Sequence, residues 1–188
     1  MMGTRQQPRR ARYEDLFSLP DTVVGEIIAG ELHAHPRPGP RHALASSSLG
    51  GELDAPFGKG RGGPGGWWIL DEPELHLGED ILVPDLAGWR RERMPRLPTT
   101  AWFELAPDWV CEVLSPATAK LDRMSKMPRY AANDVAHCWL VDPDARTLEA
   151  FKRSDGRWLL LASFVDEADV VAEPFDSVPF PLAVLWAE

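Results

Sequence analysis

The sequence predicts a single α/β domain built around a central strand covered by helices on both faces, and three observations carry that expectation. Trp109 to Leu114 alternates Trp109, Cys111 and Val113 onto one face and Val110, Glu112 and Leu114 onto the other, and both faces are apolar except at Glu112. A strand that is apolar on both sides suits the middle of a sheet with cover above and below. Ile81 to Ala87 is a second such run, interrupted by Pro84 and Asp85. Helix-compatible spacing before and after these runs supplies the cover.

In chain order, Tyr13 to Leu19 reads as a short helix ended by Pro20. Thr22 to Ile28 and Glu31 to His35 flank Ala29-Gly30, a two-residue hairpin connection. Pro36 to Pro40 is a loop with three prolines, and Arg41 to Leu53 is helical through Leu44, Leu49 and Leu53, weakened by Gly50 and Gly51. Phe57 to Gly66, with six glycines and one proline, is expected to be a flexible loop that cannot pack. Trp67 to Leu70 and Ile81 to Trp89 read as strands joined by an acidic connection, and Arg90 to Thr100 as a basic loop. Ser115-Pro116 ends the Trp109 strand, and a helix is expected from about Lys126 or Pro128 through Asn133, with Asp134 in the left-handed region at its end. Ala136 to Val141 is another apolar strand closed by Asp142-Pro143, and Leu148 to Lys152 with Trp158 to Val165 forms a hairpin around Ser154-Asp155-Gly156.

The chain has 188 residues, 44% hydrophobic and 26% charged, which suits one soluble domain with a real core. Residues 13–188 are therefore read as one domain, preceded by a basic tail at 1–12 that is expected to be disordered. No apolar run approaches the roughly 20 residues of a membrane span, and the N-terminus lacks the apolar stretch of a secretory signal. Cys111 and Cys138 lie in strand-like runs without metal-ligand spacing, so buried free thiols in a reducing cytoplasm are expected. The net charge of -9 argues against a protein that coats DNA through a basic surface. Basic clusters do follow both suspect carboxylates: Arg90, Arg91, Arg93 and Arg96 after Asp85, and Lys120, Arg123, Lys126 and Arg129 after Glu112. Most read as solvated surface charge, with a slight lean towards function from their position. Trp67, Trp68, Trp89, Trp109, Trp139 and Trp158 all fall in strand-like runs, which favours core or subunit-interface packing over base stacking. Glycine-rich phosphate loops, GxSxG and HExxH are absent, so nucleotide hydrolases, serine esterases and zincins are unsupported.

An unpaired charge inside the Trp109 strand would cost several kcal/mol or more, so Glu112 must be paired, protonated or bound to a cation. Asp85 and Glu112, two carboxylates in apolar strands, suggest a divalent-metal site of the hard-oxygen kind that Mg²⁺ prefers. The bland alternatives are a structural ion pair at Glu112 and a turn acid after Pro84 at Asp85. Asp122 reads as a local cap or a partner of Lys126 rather than a ligand.

An ordered set of motifs resembles a known family over roughly Tyr13 to Phe180. It comprises Gly25 to Leu32, Pro40-Arg41-His42, Val83-Pro84-Asp85, Glu112 to Pro116, Asp122 with Lys126 to Ala131, and Cys138 to Asp142. Together they resemble the bacterial putative restriction endonuclease family, Uma-type, within the PD-(D/E)XK nuclease superfamily. The resemblance implies a restriction-endonuclease-like mixed sheet flanked by helices, an N-terminal hairpin, and a Mg²⁺-dependent site (Mn²⁺ being a substitute) that hydrolyses nucleic-acid phosphodiesters, DNA ahead of RNA. Asp85, Glu112 and Lys126 are then the expected catalytic residues. The ion's ligands would be Asp85, Glu112 and the Val113 carbonyl, with Glu31, ahead of Glu26, completing the site from the hairpin. His42 at a helix start would touch phosphate.

This sequence departs from the superfamily pattern at Leu114, where a lysine usually follows the acid. Lys126 on the next helix is the substitute. Close to two carboxylates it stays charged, and so orients water and offsets charge rather than serving as a base. A two-fold homodimer is expected, since exposed Trp-rich strands need cover and a cleaver of both duplex strands needs two sites. A binding module that kept the fold and lost turnover is the rival reading.

Overall fold

The computed structural model describes residues 9–187. Residues 1–8 of the expected tail lie outside them. Its last four residues do make contacts: Arg9 pairs with Asp15 and the Ala11 amide donates to the Gly30 carbonyl.

A short helix α1 (Tyr13–Leu16) leads into the hairpin β1 (Val23–Ile28) and β2 (Glu31–Pro36). Ala29 and Gly30 both sit at positive φ, as the two-residue turn requires. Helix α2 (Pro40–Leu53) starts with proline in its first turn. Strands β3 (Trp67–Asp71), β4 (Leu75–Leu77), β5 (Asp80–Leu82), β6 (Leu86–Arg90) and β7 (Trp109–Val113) follow. A helical stretch comes next: α3 (Ala119–Leu121), a widened π-type turn at Asp122–Lys126, and α4 (Met127–Ala132). The chain closes with β8 (His137–Asp142), β9 (Thr147–Ser154), β10 (Arg157–Val165), the short pair β11 (Asp169–Val170) and β12 (Phe180–Pro181), and a 3₁₀ turn at Leu182–Leu185.

The main sheet runs β10-β9-β8-β7-β6-β3, with β7 and β8 parallel and the other neighbours antiparallel. A second sheet runs β2-β1-β5-β4. β7 is interior and fully buried, and its faces divide as alternation demands. Trp109, Cys111 and Val113 join Trp139 and Val141 under α2 residues Ala45, Leu49 and Leu53 and C-terminal residues Phe175, Phe180 and Leu185. Val110 and Leu114 join Cys138 and Leu140 under Met127 and Tyr130 of α4 and Leu75, Leu77 and Leu82 of the second sheet. One face is thus covered by α2 with the C-terminal segment, and the other by α4 with a sheet, not by helices alone.

Four local expectations change. The Ile81–Trp89 run is not one strand. Pro84 has no N–H for the ladder, so β5 ends at Leu82 in one sheet and β6 starts at Leu86 in the other. The 57–66 segment packs at its start, where Phe57 is 2% exposed and lies 4.8 Å from the Phe175 ring, while most of residues 59–66 stay at the surface as an irregular loop. Its glycines admit close backbone approach there, since a Cβ on Gly63 would come within 2.5 Å of Pro56. The helical stretch begins at Ala119, well before the expected start. The Arg90–Arg96 cluster sits at the end of β6 away from Asp85. There Arg90 and Arg91 stack on Trp67 and Trp68, and Arg93 pairs with Asp108.

Cys111 and Cys138 are buried free thiols. Trp67, Trp89, Trp109 and Trp139 are core residues. No helix among the described residues is long and apolar enough to cross a membrane.

Candidate active site

Where the ladder stops at Pro84, a cavity of about 730 Å³ opens. Asp85, Glu112, Lys126, Asp122, His42 and Leu114 are among its lining residues. The Asp85 and Glu112 carboxylates therefore face one space, as a shared site requires, even though they come from different strands.

Lys126 is the hub. Its Nζ lies 2.9 Å from Glu112 Oε1, 3.0 Å from Glu26 Oε1 and 3.9 Å from Asp122 Oδ1, and it donates to the Val83 carbonyl at 3.1 Å. The residue is 2% exposed. Spacing of four along the helical stretch places Asp122, Lys126 and Tyr130 on one face over the strand. Tyr130 Oη donates to Glu112 Oε1 at 2.5 Å. Glu26 receives the Val83 amide at 2.7 Å and contacts His35 Nε2 at 3.2 Å. Val83 is thus gripped at both its N–H and its C=O, which fixes the chain two residues ahead of Asp85.

Asp85 faces the end of β7. Its Oδ2 accepts the Val113 amide at 2.7 Å and its Oδ1 lies 3.2 Å from His42 Nε2. Opposite Val113 the partner strand offers Pro84, so the ladder leaves the Val113 backbone to side chains. The Nδ1 of His42, on the other side of the ring from Asp85, is buried without a hydrogen-bond partner among the described residues. α2 carries His42 in its first turn, where there is no acidic residue.

The charges are unbalanced. Glu26, Asp85, Glu112 and Asp122 gather around one lysine and two imidazoles. Burial pushes the Glu112 carboxyl well above the usual range, Lys126 opposes this, and Asp122, Asp85 and Glu26 add to the rise. Asp122 is raised to about 6, again chiefly by burial. Glu26 goes the other way, to about 2: burial would raise it, but Lys126, His35 and the Val83 amide outweigh that. Burial also works against the Lys126 ammonium, yet Glu112, Glu26 and Asp122 hold its pKa above the ordinary value. Burial lowers His42 and its bond to Asp85 more than compensates, so its pKa is raised.

This donor set fits a hydrated divalent cation. Such an ion would relieve the excess negative charge, and Mg²⁺ keeps several waters while taking one or two carboxylates. It is not a protein cage: among the described residues no three His, Cys, Asp or Glu side chains are grouped to hold a metal by themselves.

Of the residues expected from the sequence, Asp85, Glu112, Lys126, the Val113 backbone and His42 come together. Glu31 does not. Its side chain is 81% exposed, because it stands beside the hairpin turn on the edge strand β2, beyond the reach of the cover. Glu26, on the interior strand β1 and wholly buried, occupies the place expected of Glu31. Its signal was an acid between apolar residues in Val23 to Ile28. Tyr130 was missed as well, though its spacing from Lys126 placed it on the same helix face.

The family profile of Uma2, described as putative restriction endonuclease, matches residues 11–182. A search of curated proteins finds no match. Among solved structures, a putative nuclease belonging to DUF820 from Anabaena variabilis superposes with a TM-score of 0.73 at 22% identity, over 92% of this chain and 96% of that one. The likeness shows a shared fold, mixed α/β and restriction-endonuclease-like.

Proposed function

We propose, for a chain that belongs to the Uma2 restriction endonuclease family, that the cavity at the end of β7 is a Mg²⁺-dependent endonuclease site acting on DNA phosphodiesters. The observation that supports this most is the buried lysine set among acids in a cavity that Asp85 and Glu112 also line. Asp85, Glu112 and the Val113 carbonyl would hold the ion, which, when bound, supplies Lewis acidity on the phosphoryl oxygen and an activated water. Lys126 stays protonated, so it offsets charge and orients water rather than accepting a proton. His42, whose bond to Asp85 favours the protonated imidazole, stands at the cavity wall where it would meet the phosphate. Arg37 and Arg41, which also line the cavity from the proline loop, attract the backbone. Two-fold self-association and a cytoplasmic setting complete the reading.

Leu114 in the place of the strand lysine favours a second reading, a binding module without turnover. The experiment is cleavage of plasmid, single-stranded and structured substrates with Mg²⁺ or Mn²⁺ against EDTA, for the wild type and Glu112→Gln, with thermal melting of each under the same conditions. The proposal expects metal-dependent cleavage, lost by about a hundredfold or more in a folded Glu112→Gln protein, and metal stabilisation of the wild type alone. Metal stabilisation without cleavage on any substrate selects the binding module. Melting that ignores the metal, with no cleavage, removes both metal readings.

A further inference from the structure

We propose that two copies of this chain pair through the free edge of β10, joining their main sheets about a two-fold axis. β10 is the outermost strand of the six-stranded sheet and is bonded to β9 on one side only. Among the described residues, its other side presents a row of backbone donors and acceptors without a ladder partner. Along it Leu159, Leu160, Leu161 and Val165 are 56%, 49%, 38% and 54% exposed. Natural edge strands usually carry lysine, proline or inward charge as protection against pairing. Here no proline and no charged residue stands between Arg157 and Asp166.

One form of protection is present, a bulge between Leu160 and Ala162. It reverses the alternation, so that Trp158 packs into the core on the α4 side of the sheet and Phe164 into the core on the α2 side. Both halves of the strand are thereby anchored to their own subunit, and the leucines between them are left outside. The Trp-rich strands, expected to need cover from a second subunit, instead bury Trp67, Trp89, Trp109 and Trp139 within their own.

Charge identifies the occupant as a second copy. The strand begins at exposed Arg157 and ends against exposed Asp166 and Glu167. Antiparallel pairing about a two-fold axis sets each Arg157 beside the acidic end of its partner, twice per interface. Isologous surfaces are complementary to themselves by symmetry, whereas an unrelated strand has no such requirement.

The test is sedimentation velocity of the full chain at tens of micromolar. The wild type is compared with Leu159→Lys/Leu161→Lys, Arg157→Glu, Asp166→Arg/Glu167→Arg, and the combination of all three charge reversals. Circular dichroism confirms folding. The wild type should sediment at twice its chain mass of 20.9 kDa. The lysine pair and each partial reversal should weaken association by at least about tenfold, and the combined reversal should restore it. If the lysine pair unfolds the chain, the exposed charge reversals decide the matter. A monomeric wild type, a dimer indifferent to these substitutions, or a combined reversal that stays monomeric overturns the proposal.

Discussion

Replacing Lys126 by Met asks whether the acid cluster is held by one buried cation. Met keeps most of the apolar stem, so the change removes chiefly the ammonium that now reaches Glu112 at 2.9 Å, Glu26 at 3.0 Å and the Val83 carbonyl at 3.1 Å. Removing one partner of a buried pair leaves an uncompensated charge and costs about 3–5 kcal/mol. For a chain of this size that corresponds to a fall in Tm of roughly 6–20 °C, at about 2–4 °C per kcal/mol. The cost must depend on pH. In the mutant the folded-state carboxyls, no longer drawn down by Lys126, have raised proton affinity. Groups of that kind favour the native state at low pH and lose the advantage as pH rises through their folded pKa. The gap between mutant and wild type should therefore be largest near pH 7.5 and at least halve by pH 5. Thermal melting by circular dichroism at both pH values measures it. A loss under about 1 kcal/mol at pH 7.5, the size expected of an exposed lysine, would refute the reasoning, as would a loss of equal size at both pH values.

Two further outcomes follow from other positions. Asp122→Asn should stabilise the protein: the rise of the Asp122 carboxyl from its usual 3.8 to about 6 means that keeping it charged costs about 3 kcal/mol above pH 6. Because the folded pKa is the higher one, the mutant's advantage should appear as pH climbs between 3.8 and 6 and vanish below; melts across that window check it, and a mutant less stable at pH 7.5 would show that Asp122 is needed by Lys126. Phe57→Ala should cost about 3–5 kcal/mol in urea unfolding, since the ring lies against Phe175 at 4.8 Å; a cost below about 1 kcal/mol would return the 57–66 segment to the status of an unpacked loop.

The strands were legible where burial imposed a pattern. Trp109 to Leu114 reads as an interior strand because both of its neighbours and both covering layers are apolar. The break at Pro84 was not, because a proline in an apolar run shows where a ladder fails but not that the chain then changes sheets. The helical stretch from Ala119 was hidden for a related reason. The face it buries carries Asp122 and Lys126, so hydrophobic periodicity cannot see it. Asp85, Glu112 and Lys126 could be read as a group because each is an ionisable residue in a place that must be satisfied. Glu26 and Glu31 lie on the same face of the hairpin, and only the tertiary position of β1 between β2 and β5 decides which one is covered. Phe57 was obscured by the glycines around it, whose role is close approach rather than slack.

Lys126 has a mechanical consequence. Glu26 belongs to the four-stranded sheet and Glu112 to the six-stranded one, so a single ammonium clasps the two across the gap that Pro84 leaves. Away from the cavity the seam is closed by Ile28, Leu75, Leu77 and Leu82. Beside it, the fastening is electrostatic. Local opening in folded proteins begins where apolar closure is thinnest, which here is the hairpin margin of the cavity. Any change in the charge of this cluster, by protonation, by substitution or by an arriving ion, alters how tightly that margin shuts. The same atoms that would meet a substrate also latch the door through which it enters.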